Sequence, residues 1–485
     1  MGIKKTLATI MMACLSFGSV SVAQSAEFKF SGIFIVASEY QKNPNFVKGD
    51  AFDGLIRFRP RLDAIISENL YSSLQLELGT YKFGYGPTGI GSRNNSNVKV
   101  RQMYIASKMP GMENLSMTLG IQYMTAPSAT FGNYVLDDNV AGVSFGYVIN
   151  EMVSFNLAWS RPYATVGGQN DKGSSAIDYV QIDVPVSFSG VTISPWAAFA
   201  NITRKSGSSL AQAVSNQTTN DFSNSGTNAF LAQEGLMNAA KAGQTQTTSY
   251  PSGYVTPNVA GIAWWVGAAI EIEAVKNLHI GIDGVYGQAK YGSHKAASRE
   301  GFMVGLDVNY KLPMFTPAIK YWYASGNKKN SGWTQSGGLM PSISASYVPL
   351  YFAFADSSVT IGNDGIVGGY TTSSTQGVVL ELGDITFIDN LTHLFQLGYM
   401  MGTTNQSWVQ STGGVATENA EFNPTFLTTA DSILALNFIT TYNIYENFST
   451  TFGVGYMNML TTNSHWRVKP EDNILSLALG FQYTF

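Results

Sequence analysis

Apolar residues alternate with small or polar ones along most of this chain, most clearly at its end. In 474–485 the odd positions are Leu475, Leu477, Leu479, Phe481, Tyr483 and Phe485, and the even positions are mostly small or polar. A period of two describes a β-strand with two unlike faces. Rows of the same kind run over Ile56–Ile66, Leu74–Leu78, Leu115–Tyr123, Ala141–Ile149, Val153–Trp159, Val180–Phe188, Val191–Phe199, Ile262–Ile272, Leu278–Ile282, Phe302–Leu312, Phe315–Tyr323, Val378–Leu382, Leu391–Met401, Leu434–Tyr442 and Phe448–Tyr456. With strands near 28–40 and 98–108, about eighteen segments meet the criterion, sixteen being the alternative.

The connections fall into two classes. Short ones sit at Asn69, Pro110-Gly111, Asn150-Glu151, Ser189-Gly190, Lys276-Asn277, Pro313, Asp389-Asn390 and Glu446-Asn447. Long ones lie near 41–51, 83–97, 126–139, 163–176, 203–260, 290–300, 325–375, 404–430 and 461–472. Strict alternation of short and long connections predicts an all-β, transmembrane antiparallel β-barrel with short periplasmic turns and long extracellular loops, both termini on the periplasmic side. Closure removes every sheet edge and pairs every backbone group in lipid. Past residue 26 no uncharged apolar run approaches the ~20 residues of a spanning helix.

Composition agrees. Only 12% of residues are charged, about half the usual ~25%. The net charge of −4 disfavours a nucleic-acid partner. Residues 1–26 read as a signal peptide: Lys4 and Lys5, an apolar stretch Thr6–Val20, then small residues up to Ala26. Its removal takes away Cys14, the one cysteine. The remaining 27–485 is expected to be a single barrel domain. Its two largest loops differ in kind. Residues 203–260 are rich in Ser, Thr, Asn and Gln, with a short helix expected at Asn228–Lys241, weakened by Gly235. Residues 325–375 carry an apolar stretch, Tyr347–Phe354, too apolar to hang in water, which predicts a fold back over the mouth or into the lumen.

Several strings resemble a known family. Gly54-Leu-Ile-Arg-Phe-Arg-Pro-Arg-Leu-Asp63, Ser73-Leu-Gln-Leu-Glu-Leu-Gly79, Leu119-Gly-Ile-Gln-Tyr123, Asp137-Asp-Asn-Val-Ala-Gly142 and Trp159-Ser-Arg-Pro-Tyr163 are similar to the homotrimeric outer-membrane porins of Desulfovibrio-type sulfate-reducing bacteria. The resemblance covers roughly 27–200 and the C-terminal strands. It implies a homotrimer in bacterial outer-membrane lipid that passes small hydrophilic solutes by passive diffusion. It carries no catalytic signature.

Candidate chemistry lies opposite the apolar rows. Arg57, Arg59 and Arg61 alternate with Ile56, Phe58, Pro60 and Leu62. An arginine on the lipid face costs ~2–4 kcal/mol at the midplane, so the three are expected to line the pore. Lys99 and Arg101 extend this basic wall, though Met103 shares their parity. Such a wall predicts a preference for anions; the competing reading is a structural salt-bridge lattice. Glu77, Asp137 and Asp138 are the candidate opposing acidic groups. Glu271, Glu273, His279 and Asp283 are read as inward residues that hydrate or pair at the periplasmic end. Trp159, Trp264 and Tyr483 fall in lipid-facing rows, and Tyr483 with Phe485 reads as the C-terminal assembly signal. The four histidines are scattered and no nucleophile elbow or phosphate loop is present, so no catalytic residue, metal or cofactor is expected. The alternatives to a diffusion porin are a substrate-selective channel and a loop-plugged surface barrel acting as adhesin or receptor.

Overall fold

The computed structural model describes residues 26–43, 48–82, 98–165, 175–203, 261–290, 298–328, 337–353, 374–406, 427–461 and 473–485. The expected leader up to residue 25, the expected helix at 228–241 and nearly all of the 203–260 loop lie outside these residues.

The strands are β1 (Glu27–Lys42), β2 (Asp50–Ser67), β3 (Leu70–Lys82), β4 (Val98–Met109), β5 (Met112–Thr125), β6 (Asp137–Val148), β7 (Ser154–Thr165), β8 (Ser175–Asp183), β9 (Val186–Phe188) and β10 (Val191–Thr203). They continue as β11 (Gly261–Ile272), β12 (Leu278–Lys290), β13 (Arg299–Tyr310), β14 (Thr316–Ala324), β15 (Thr375–Ile388), β16 (Leu391–Gly402), β17 (Asp431–Tyr445), β18 (Phe448–Thr461) and β19 (Asn473–Thr484). Neighbours in sequence pair antiparallel, and β1 pairs with both β2 and β19, which closes the sheet. β8 and β9 both lie on β10 and are halves of one strand, parted at Val184 and Pro185, so the barrel has eighteen strands rather than sixteen. Proline has no N–H for the ladder. Its carbonyl is used instead, accepting from Ser154 N at 3.1 Å.

The tight connections turn where the sequence supplies residues that accept a left-handed backbone: Gly111 (φ 79°), Ser189-Gly190 (47° and 78°), Asn277 (66°) and Asn390 (64°). Closure ends on the last residue. Gly32 and Phe485 exchange backbone hydrogen bonds of 2.9 and 3.1 Å. The Phe485 ring lies 5.2 Å from Phe30 and 5.8 Å from both Phe58 and Tyr483.

The two faces differ as the alternation requires. On β19, Leu477, Leu479, Phe481 and Tyr483 are exposed outside, while Ser476 and Ala478 are buried inside. The same holds round the ring, giving a continuous exposed apolar band far larger than the few hundred Å² that a soluble monomer carries.

Inside, the lining is uneven. In the long-loop half of β5–β19 the inward positions are themselves large and apolar, with Ile177, Tyr179, Trp265, Trp322, Met457 and Ile474 fully buried. They pack against two segments that enter the bore, 126–136 between β5 and β6, and 337–353 between β14 and β15. The apolar stretch beginning at Tyr347 thus lies inside, with Tyr347, Leu350 and Phe352 buried.

Candidate pore wall and constriction

The register of β2 on β1 puts Arg57, Arg59 and Arg61 opposite Ile35, Ile33 and Ser31, with Ile56 and Phe58 opposite Val36 and Phe34 on the other face. Ile35 is buried inside and Phe34 is exposed outside, so all three arginines face the bore. They descend from the long-loop end towards the short turn at 67–70. Arg57 is buried, the Arg59 side chain is 15% exposed and that of Arg61 32%, so the wall opens towards the short-turn end.

Lys99 and Arg101 join this wall through a β-bulge. Gln75 pairs with Gln102 and Leu76 with Val100, which leaves Arg101 as the extra residue on β4. The slip lets Lys99 and Arg101 face inward while Met103 faces outward. Lys99 stands opposite Glu77 across the strand pair.

Glu77 is the hub. Its Oε2 accepts from Arg59 Nε at 2.7 Å and from Arg101 Nη1 at 3.3 Å, and its side chain is only 10% exposed. Arg61 donates through Nε to both oxygens of Asp63 at 2.9 and 3.0 Å, and through Nη2 to the Tyr104 hydroxyl at 3.1 Å. Five cations thus gather on this wall; Glu77 and Asp63 bond to them directly, Asp138 acts on the charge of Arg101, and buried Glu39 shares the inward face of β1. Charge-assisted bonds of this length hold the guanidinium planes in place.

Facing the bore from the other wall, the two inserted segments pair with each other. Ile343 N and Ser344 N donate to Val135 O at 2.8 and 3.1 Å, Ser346 N to Asn133 O at 3.0 Å, Val348 N to Phe131 O at 3.0 Å, and Asp137 N to Ser344 O at 2.7 Å. Backbone groups far from water are paired by this small ladder rather than left orphaned. Side chains of the wall then tether it. Asp283 accepts from Ser128 Oγ and Ala129 N, both at 2.7 Å, from Thr130 N at 3.1 Å, and from the Thr130 hydroxyl. Trp265 Nε1 donates to Pro341 O at 2.7 Å. Gln396 Oε1 and Asn437 Oδ1 accept from Tyr351 N and Ala353 N at 2.9 and 2.7 Å.

Asp137 and Asp138, expected as groups opposing the arginines, sit at the root of the first segment. Asp138 accepts from Ser344 Oγ at 2.7 Å, and Asp137 from the Tyr123 hydroxyl and from Asn133 N at 3.5 Å. Their described hydrogen bonds therefore hold the constriction. Glu77 meets the arginines directly, and Asp138 also lies close enough to act on the charge of Arg101.

Sequence reading missed how closely these segments approach the wall. A Cβ on Gly281 would fall 1.9 Å from Ala129 O, and one on Gly453 would fall 1.3 Å from Ala353 O. Only glycine lets the inserted backbone lie there. Inward glycines in otherwise strong strands are the signal that could have revealed it.

Space remains on the short-turn side. A recess of about 690 Å³ lies beneath the first segment, lined by Gln122, Ser144, Gln181, Asp183, Thr192 and Glu271 among others. A second of about 420 Å³ is lined by Asp307, Lys320, Glu381, Thr392 and Thr441 among others. The Tyr347 hydroxyl lies 3.2 Å from that of Thr130, which lines the first recess, and burial pushes the Tyr347 phenol well above the ordinary tyrosine range.

This architecture has counterparts among solved structures. The chain superposes on Pseudomonas aeruginosa OccK2 (OpdF), solved in complex with glucuronate, with TM-score 0.51, 8% identity, and coverage of 95% of this chain and 98% of that one. It superposes on a BenF-like porin from Pseudomonas fluorescens with TM-score 0.50, 9% identity, and coverage of 95% and 99%. The shared feature is the fold, that of outer-membrane porins. No protein-family model matches the sequence, and no curated protein matches it either.

Proposed function

We propose that this protein is an outer-membrane porin whose off-centre channel passes small hydrophilic solutes along the arginine wall, with a preference for anions. The observation that carries the reading is the inward row Arg57, Arg59, Arg61, reinforced by Lys99 and Arg101, which outnumbers the carboxylates acting on it, Glu77, Asp63 and Asp138. An anion on this path exchanges hydration for guanidinium contacts, while a cation meets a repulsive potential. The wall is most open near Arg61, next to the short-turn end, so solute contact concentrates there. A neighbour of the same fold was solved with glucuronate, a sugar acid; the recesses described above carry Asp183, Glu271, Asp307 and Glu381, so the arginine wall and not these recesses is the path proposed for an anion. The trimer belongs to the same proposal and rests on the resemblance of the N-terminal strings to trimeric porins.

The deciding experiment is the zero-current potential across a KCl gradient in a planar bilayer, for wild type and for R57A/R59A/R61A. Wild type should give an anion-selective potential that moves towards or past zero in the variant, and a trimer should insert with three equal current steps. An open wild type with a cation-selective potential would overturn the anion preference.

The inserted segments favour a second reading, a plugged surface barrel, because together they fill the long-loop half of β5–β19. A folded barrel that never conducts would select it.

A further inference from the structure

At the short-turn mouth, on a wall remote from the arginines, the hairpin of β11 and β12 gathers three metal-ligating side chains. Glu271 and Glu273 occupy alternate positions on one arm, and His279 follows the turn at Asn277 on the other. His279 Nδ1 lies 3.7 Å from Glu271 Oε1 and 3.6 Å from Glu273 Oε1, and one donor atom from each of the three residues fits within a 4.8 Å circle of mutual distances. A tetrahedral ion with ligands at ~2.1 Å sets its donors about 3.4 Å apart, so the two distances from His279 need to close by only a few tenths of an ångström, and the two carboxylate oxygens, within 4.8 Å of each other, by at most about 1.4 Å. The hairpin preorganises the set: Glu273 N donates to Gly190 O at 2.7 Å, which fixes the backbone just beyond β11.

A third carboxylate, that of Asp307, stands close by, with Lys320 in register on its far side. Gly281 stands in register between Glu271 on one side and Asp307 on the other. Asp307 Oδ1 is buried and has no hydrogen-bond partner among the described residues. A further carboxylate thus faces the bore beside the three donors, and Glu271 opens into the 690 Å³ recess, which leaves room for water to complete a coordination shell.

We infer that Glu271, Glu273 and His279 form a divalent-cation site of the zinc type at the short-turn mouth of the bore. One imidazole and two carboxylates suit a borderline ion such as Zn²⁺, whereas Mg²⁺ keeps its water and prefers all-oxygen shells. The competing arrangement is a protonated His279 held by two carboxylates with no affinity for metal.

The test is isothermal titration of the folded, full-length protein in detergent with ZnCl₂, with MgCl₂ as control. One Zn²⁺ should bind per chain, weakened about tenfold or more in H279A and in E271Q/E273Q. Binding should be unchanged in H393A, whose ring stacks on Phe438 5.6 Å away. The faster gel migration of unheated barrel checks the folding of each variant; E273Q alone, at the most exposed donor, serves if the double variant fails. Absence of saturable Zn²⁺ binding, equal affinity in H279A, equal binding of Mg²⁺, or loss of binding in H393A would each overturn the site.

Discussion

Removing Asp283 should release the inserted segments from the wall. Its carboxylate receives two backbone amides, Ala129 N at 2.7 Å and Thr130 N at 3.1 Å, besides the hydroxyls of Ser128 and Thr130. A hydrogen bond to a charged group contributes about 1.5–3 kcal/mol, so the two amides alone account for roughly 3–6 kcal/mol in D283A. Water from the adjoining recess recovers part of this, leaving about 3 kcal/mol, or roughly a hundredfold fall in the ratio of latched to released segment. G281A attacks the same contact from below without touching Asp283, since its Cβ would lie 1.9 Å from Ala129 O. The readout is a single reporter cysteine, V135C, in a C14S background. Val135 is fully buried in the constriction, so its reaction with a bulky maleimide follows the released population. Both D283A and G281A should label far faster than the parent, D283A by about a hundredfold on the figures above. If both variants label at the parental rate, the carboxylate does not hold the constriction and the account fails.

Three further outcomes follow from the same contacts. W265F leaves the Pro341 carbonyl without its buried donor, 2.7 Å away, and should lower barrel stability by about 1–3 kcal/mol in urea unfolding from lipid vesicles. E77Q removes the charge shared by Arg59 and Arg101; it should deepen the anion-selective potential while destabilising the barrel by about 3 kcal/mol, and an unchanged potential would mean this hub lies off the ion path. The raised pKa of Tyr347 keeps its phenol neutral in place after a released, solvated tyrosine would ionise. Stability from that burial is therefore complete below about pH 10 and falls as pH rises beyond it, so V135C labelling should climb above pH 10 relative to Y347F at each pH.

Much of this was legible in the residues because lipid enforces a strict period of two. The row from Leu475 to Phe485 and the Arg57–Arg59–Arg61 row needed only parity to be assigned a face. Parity fails where one residue is inserted or a donor is missing. The bulge at Arg101 explains why Met103 and Arg101 share a sequence parity but not a face, and Pro185 splits one sequence row into two strands. The filled interior was harder to see. Inward Ile177, Trp265, Trp322 and Ile474 make both faces of their strands apolar, which blurs the alternation that marks a wet lumen. The partner of each is a loop segment far away in sequence, and no local pattern encodes that pairing. The apolar run beginning at Tyr347 signalled an inward fold, but its partner at 131–136 carried no comparable signal.

The uneven filling of the bore also sets how long individual amide protons survive. Strands around Trp265, Trp322 and Ile433 have a dry face on both sides, lipid outside and packed side chains within, so their amides are reached only when the constriction is withdrawn. Those beside Arg61, at the short-turn end of β2, have water against one face. Hydrogen exchange should therefore divide a ring that looks uniform in its backbone into a fast arc and a slow one, with the boundary following the footprint of the two inserted segments rather than the depth of the membrane.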